Sequence, residues 1–331
     1  MTRTSMRLAA TAFAALLATA SAPAQRADLP ARIALKNLPG ATDIVLTARR
    51  GNTLHARLND ATGSSITYDT ADVRRLAFNL PADAVGRAEA AAASGNTAEA
   101  ARQMRVVIVP ILPYLDLPTD GVVPHAFTYA GWLRRDNAWT AAMSVYRAMT
   151  NHAELAIREQ ALAWLAYGFA RNQQPNEARA LIEGLTIDDP RHEGFMPAAL
   201  AAVIVATADT NDTRTIDLAA RATALARIDH ELYPESLFRT AAAYHRLAAT
   251  AAFDEAHPPV VLRKAGEEPP PTPPLNAAEL TTAASNLYQR VTTLFPSSPF
   301  AADATRDLGR LPVLTNTTAH AITTTAPGAS R

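Results

Sequence analysis

The stretch "ALAWLAYGFARNQQPNEARALIEGLTIDDP", Ala161 to Pro190, decides the fold. In its first half apolar residues recur at three- and four-residue steps, as on one face of an α-helix. Leu162, Leu165, Ala166 and Phe169 fill that face. "NQQPN" then breaks the helix with amides and a proline. A second helix follows. Ala178 is its small residue, at the point where it must approach the first helix closely. Ile182 and Leu185 complete its apolar face, and Pro190 closes the unit because proline cannot continue a helix.

Working outward, the same frame recurs, and a repeat has to be sought before any site. In "NAWTAAMSVYRAM", Trp139, Ala142, Tyr146 and Met149 take the turn, small, aromatic and apolar positions. "SGNTAEAARQMRVV" offers Gly95 and Asn96 for a turn and Ala100 for the small position. "TIDLAARATALARI" places Ala219 or Ala220 there. Near the end, Ala284, Tyr288, Val291 and Pro296 fit a further second helix. Anchored at Ala100, Ala142, Ala178, Ala220 and Ala284, the units are spaced by 42, 36, 42 and 64 residues. Breaks such as "SGNT", "RDNA", "NQQPN", "DDPRH" and "TNDT" punctuate the chain from Pro81 onward, so antiparallel helices joined by short turns are predicted. The long last step holds a Pro-rich insert, residues 254–275, which cannot be helical. Beyond it Ser297 or Ser298 is the expected N-cap of a closing helix, with a proline in its first turn. The Thr/Ala-rich residues 312–331 are expected to be disordered.

The unit at Ala161–Pro190 resembles a tetratricopeptide repeat, with its small residue in the second helix and its closing proline. The resemblance implies an α-α superhelix over residues 81–311, with the first helix of each pair lining a concave face. On that frame Arg134, Arg135, Tyr167, Arg171, His245 and Arg246 form a basic, partly aromatic strip. Guanidinium groups suit carboxylates through paired hydrogen bonds, so an acidic or C-terminal peptide segment is the expected occupant. The run "YQRVTTLFPSSPFAADA" is similar to units of envelope tetratricopeptide proteins, the BamD-like assembly lipoproteins and the Tol–Pal-associated coordinators. That likeness implies a non-catalytic adaptor of the bacterial envelope.

The rest of the chain fits such an address. Arg3 and Arg7, then "LAATAFAALLATA", then "SAPA" read as an export signal over residues 1–24, cleaved after Ala24. A periplasmic or secreted protein follows, with no transmembrane segment in the mature chain. There is no cysteine, hence neither a disulfide nor a lipid-modified cysteine. Residues 25–80 form a small β-module. Short alternating runs such as Ile44, Leu46 and Leu54, Ala56, Leu58 are separated by "RRGN", "NDATGSS" and "DTAD". Four or five strands in such a span make a small barrel or curled sheet, and "ADVRRLAF" resembles the last strand of SH3-like or Sm-like modules. The fold class is therefore mainly α, with an N-terminal β-sheet or barrel-like module.

The formal net charge is zero, which argues against nucleic acid as a partner. No metalloprotease, phosphate-loop, serine-hydrolase or dinucleotide motif is present. The eight histidines show no i, i+4 pair of the kind that holds metal on a helix. His192-Glu193 and His230-Glu231 stand at loop-to-helix junctions, where an acid complements the helix start. Asp188-Asp189 and Glu267-Glu268 are carboxylate pairs by adjacency alone, and Trp132, Trp139 and Trp164 fall on packing positions. No cofactor and no enzyme activity are expected. The competing reading is an envelope enzyme with a helical superhelix, acting on peptidoglycan or glycans; carboxylates about 5–10 Å apart in a cleft would mark it. In the adaptor reading, the partner is a protein or peptide of the envelope.

Overall fold

The computed structural model describes residues 28–61, 63–256 and 276–312, without the side chains of residues 253–256. The export signal, most of the Pro-rich insert and all but the first residue of the 312–331 tail lie outside the described residues. The protein is mainly α with one six-stranded sheet. It divides into two compact units, up to Arg158 and from Glu159.

The first unit opens with the sheet. Strands β1 (Leu29–Leu35), β2 (Thr42–Arg50), β3 (Thr53–Leu58) and β4 (Ser65–Asp69) form an antiparallel meander. A 3-10 turn at Thr70–Asp72 leads into β5 (Val73–Phe78), which returns to pair with β1. Alternation decides the faces: Ile33, Ile44, Leu46, Leu54, Ala56 and Leu76 are buried together, and the intervening Val45 and His55 are only half-buried. The boundary at residue 80 does not close this core. Tyr114 and Leu117 complete it, and Thr119–Asp120 adds β6 in parallel with β5. Arg49 on β2 donates to the Asp116 carboxylate, including a 2.8 Å bond from Nη2. The five strands between Leu29 and Phe78 do not close their inner face alone; Tyr114 and Leu117 fold back onto it.

Helices α1 (Ala82–Ala93), α2 (Thr97–Ile108), α3 (Val122–Arg135) and α4 (Trp139–Met149) finish this unit. Helix α5 (Leu155–Arg171) carries the boundary between the units. In the second unit follow α6 (Pro175–Ile182), α7 (Phe195–Ala208), α8 (Asp212–Leu225), α9 (Tyr233–Ala256), α10 (Ala277–Leu294) and α11 (Ala301–Leu308).

The turns within successive helix pairs are copies of one another. Gly95, Asn137, Gln173 and Thr210 each hold a left-handed backbone, at φ 83°, 57°, 60° and 56°. The N–H of the next residue bonds the carbonyl five residues back: Asn96 to Ala91, Ala138 to Leu133, Gln174 to Phe169, Asn211 to Ala206. This is the Schellman motif, which satisfies the last carbonyls of the first helix. These residues are 42, 36 and 37 positions apart. Five residues after each lies the close approach of the second helix: Ala100, Ala142, Ala178 and Thr215, all at 0% exposure. In the fourth unit the small position is thus Thr215 rather than Ala219 or Ala220; Ala219 is also buried, whereas Ala220 is exposed. Helix α10 starts one turn earlier relative to this frame, and Ala284, Tyr288 and Val291 occupy its buried stripe.

Two expected helix ends move. Helix α6 stops at Ile182, well before Pro190, where Gly184 breaks the run. Helix α11 begins at Ala301 and not on the serines; Ser298 Oγ instead accepts from the Phe300 N–H at 3.2 Å.

Candidate functional site

Of the six residues of the expected strip, Arg135, Arg171 and Arg246 are exposed and Arg134 and His245 half-buried. Tyr167 is enclosed, at 0% exposure. Its phenol donates to the Glu235 carboxylate at the start of α9. Burial pushes that phenol up, and the neighbouring Glu235 carboxylate pushes the same way. Arg171 follows one helical turn later, with Nη1 3.4 Å from the phenol oxygen and 3.7 Å from Glu235 Oε2. Arg239 Nε reaches Glu235 Oε1 at 2.7 Å. Glu235 itself has a side chain only 1% exposed, so two guanidiniums and a phenol replace the water it gave up. Tyr167 is therefore part of an interior polar node, with the exposed Arg171 at its outer edge.

Arg134 donates to the Tyr146 hydroxyl, and its guanidinium carbon lies 5.7 Å from that ring's centre. His245 meets Tyr288 edge to face at 6.3 Å. Arg246 bonds Asp212 at the start of α8, with Nε 2.8 Å from the carboxylate. Arg135 is exposed at the end of α3. Of these charges, Arg246 is ion-paired to a neighbouring helix and Arg171 lies at the edge of one.

The histidine pairs resolve in the same way. His192 Nδ1 accepts from the Gly194 N–H at 3.0 Å, and His230 Nδ1 from the Leu232 N–H at 3.1 Å. Trp164 stacks on His230 at 6.5 Å and meets Tyr167 edge to face at 5.9 Å, both interior contacts. Asp189 is bound by Arg191, whose hydrogen bonds hold its carboxyl below the usual range. Glu267 and Glu268 lie outside the described residues. Among the described residues no group of three histidines or carboxylates could hold a metal ion.

Open clefts remain in each unit. In the first unit a shallow cleft of about 490 Å³ runs between α2 and α4, floored by Tyr129 and Leu133 of α3. Ala98, Ala101 and Val109 make one wall, Ala141, Ser144 and Val145 the other, and Arg102 and Arg105 stand on its rim. Val106, beside these arginines on α2, is 70% exposed. In the second unit a cleft of about 220 Å³ lies between α6 and α8 over α7, lined by Ile182, Ile187, Phe195, Ala199 and Leu218, with Arg221 at its edge. Both have largely apolar floors, with a guanidinium and a carboxylate in each lining: Arg102, Arg105 and Asp136 in the first, Arg221 and Asp188 in the second. Such a surface can hold apolar side chains and pair with a carboxylate, but it presents no nucleophile with a base. The sequence frame missed them because it looked to the first helix of each pair, whereas second helices form these walls. The arginines at i, i+3 on α2 above small alanines were the signal available.

Compared with models of known protein families and with curated proteins, the chain finds no match.

Proposed function

We propose that the protein is a non-enzymatic adaptor of the bacterial envelope, a tetratricopeptide-like superhelix that holds segments of partner proteins. The observation that carries this reading is four Schellman turns with the same hydrogen-bond pattern, each followed five residues later by a zero-exposure small residue. Stacked copies of one helix pair leave a cleft between successive second helices, and repeat arrays use such extended surfaces for binding. Export by residues 1–24 places it in the periplasm. The ligand is an extended or helical segment with apolar residues and a carboxylate, seated in the cleft between α2 and α4 and paired with Arg102 and Arg105.

A photo-crosslinking residue at Ser144 tests this in cells. A discrete adduct with an envelope protein is expected, and it should disappear when Arg105 is changed to Glu. No adduct at Ser144, or one indifferent to R105E, overturns the reading.

A further inference from the structure

The starts of four first helices are built alike, and three of them use histidine. His152, His192, His230 and Ser298 each precede by three residues the helices α5, α7, α9 and α11. In each the side chain accepts from the N–H two residues on: Glu154 at 3.0 Å, Gly194 at 3.0 Å, Leu232 at 3.1 Å and Phe300 at 3.2 Å. In the last three the carbonyl of the same residue also accepts from the first helical N–H, that of Phe195, Tyr233 or Ala301. Ordinary proteins use Ser, Asn or Asp for this local bond. An imidazole can make it only while Nδ1 carries a lone pair, that is, only when neutral with its proton on Nε2.

We propose that these three histidines form a proton-sensitive set of helix starts, which release α5, α7 and α9 as the pH falls from about 7 to about 5 while α11, held by a serine, does not respond. Protonation puts a second N–H where the acceptor was, so the bond to the backbone breaks. It also sets a positive charge at a helix N-terminus, where the backbone dipoles favour a negative one. At His152 both effects are strongest: it is 3% exposed and its Nε2 has no hydrogen-bond partner. Around it stand Glu154 and Arg158 of its own turn and helix, and Asp116 from the segment before β6. Arg158 Nη1 also donates to the His152 carbonyl at 3.1 Å. His192 faces Asp189, Arg191 and Glu193, and His230 faces Asp229, Arg227 and Glu231 with Trp164 against its ring. Burial at His152 lowers its affinity for protons.

The sign follows from linkage. A group that binds its proton less readily when folded supplies stability that is complete above the unfolded value of 6.5 and lost as pH falls below it.

Nitrogen-15 spectra of the purified protein at pH 7 test the premise: all three imidazoles should carry their proton on Nε2. Amide exchange tests the consequence. After correction for intrinsic pH dependence, the N–H groups of Glu154, Gly194 and Leu232 should exchange roughly fivefold faster at pH 5 than at pH 7, the loss expected of one cap, with Phe300 unchanged. The triple variant H152N/H192N/H230N keeps a neutral acceptor and should lose the acid response. Nδ1-protonated imidazoles at pH 7, or four amides with the same pH profile, overturn the proposal. An acid response that survives in the Asn variant does so too.

Discussion

The Tyr167 phenol donates to the Glu235 carboxylate, joining the C-terminal part of α5 to the first turn of α9 across 68 residues of sequence. Both side chains are buried, and Arg239 and Arg171 complete the carboxylate's surroundings. In such a node each polar group is stabilised only by the others, so the loss of one strands the rest. Tyr167→Phe removes one donor and should cost about 1–3 kcal/mol. Glu235→Gln breaks the ion pairs and should cost about 3 kcal/mol, the low end for a buried pair, because both arginines keep partial contact with water. Denaturant unfolding of the single and double variants should give a coupling of at least about 0.5 kcal/mol. Strict additivity would show that the phenol and carboxylate act independently.

Thr210 sits at φ 56°, in the position Gly95 occupies at φ 83° in the first pair. A β-branched residue in the left-handed region is strained by roughly 1–2 kcal/mol. Nothing about Gly95 is special except the absence of a Cβ; at φ 83° that absence is what the turn uses. Thr210→Gly should therefore stabilise by about 1 kcal/mol, and Gly95→Thr should destabilise by a similar amount or more. Thermal melts of the two variants moving in the same direction would contradict the equivalence of the turns.

Thr215 and Ala220 test the register of the fourth unit. Thr215 has 0% exposure, and its hydroxyl bonds the Asn211 carbonyl at 2.9 Å, whereas Ala220 faces solvent. A leucine at Thr215 must force apart the two helices of the pair and should cost about 1–3 kcal/mol. A leucine at Ala220 should change stability by less than about 0.5 kcal/mol. Equal losses at the two positions would return the frame to the alanine spacing.

These contrasts mark what the sequence carried. Helices, their breaks and the inward Ala100, Ala142, Ala178, Ala284 and Tyr288 were legible because burial imposes a period on composition. The turn geometry was not. Gly95, Asn137, Gln173 and Thr210 share a backbone conformation without sharing a residue type, so no letter repeats. The capping box at Asn276 and Glu279 was readable, Asn followed three residues later by Glu, but the prolines before it drew the eye instead. Glu235 and the sheet's claim on Tyr114 and Leu117 lie beyond local pattern, since each depends on a partner far along the chain. For the same reason the acids beside Arg171 and Arg246 could not be read in advance: periodicity gives the face a residue occupies, not the acid that meets it.

Tyr288 links the core of the last helices to alkaline stability. Its ring is 1% exposed and tilts against Phe238 at 5.9 Å. Burial pushes the phenol up to about 12 from the usual 10.0; the Asp307 carboxylate adds to this, and Arg246 and Arg306 oppose it. A phenol that keeps its proton longer when folded contributes stability that is complete below pH 10. That contribution disappears as the pH rises through the interval to about 12. Burial raises Tyr68, Tyr114, Tyr129 and Tyr167 as well, so the unaltered protein should weaken steeply over this range. Tyr288→Phe keeps the ring and its packing and removes one titrating group. The variant should match the original near pH 8, and its stability should decline less between pH 10 and about 12. Ultraviolet difference titration should show one fewer late-ionising phenol in the same variant. Superimposable alkaline unfolding curves for the two proteins would mean that Tyr288 ionises freely in the folded state and is not enclosed by α9 and α10.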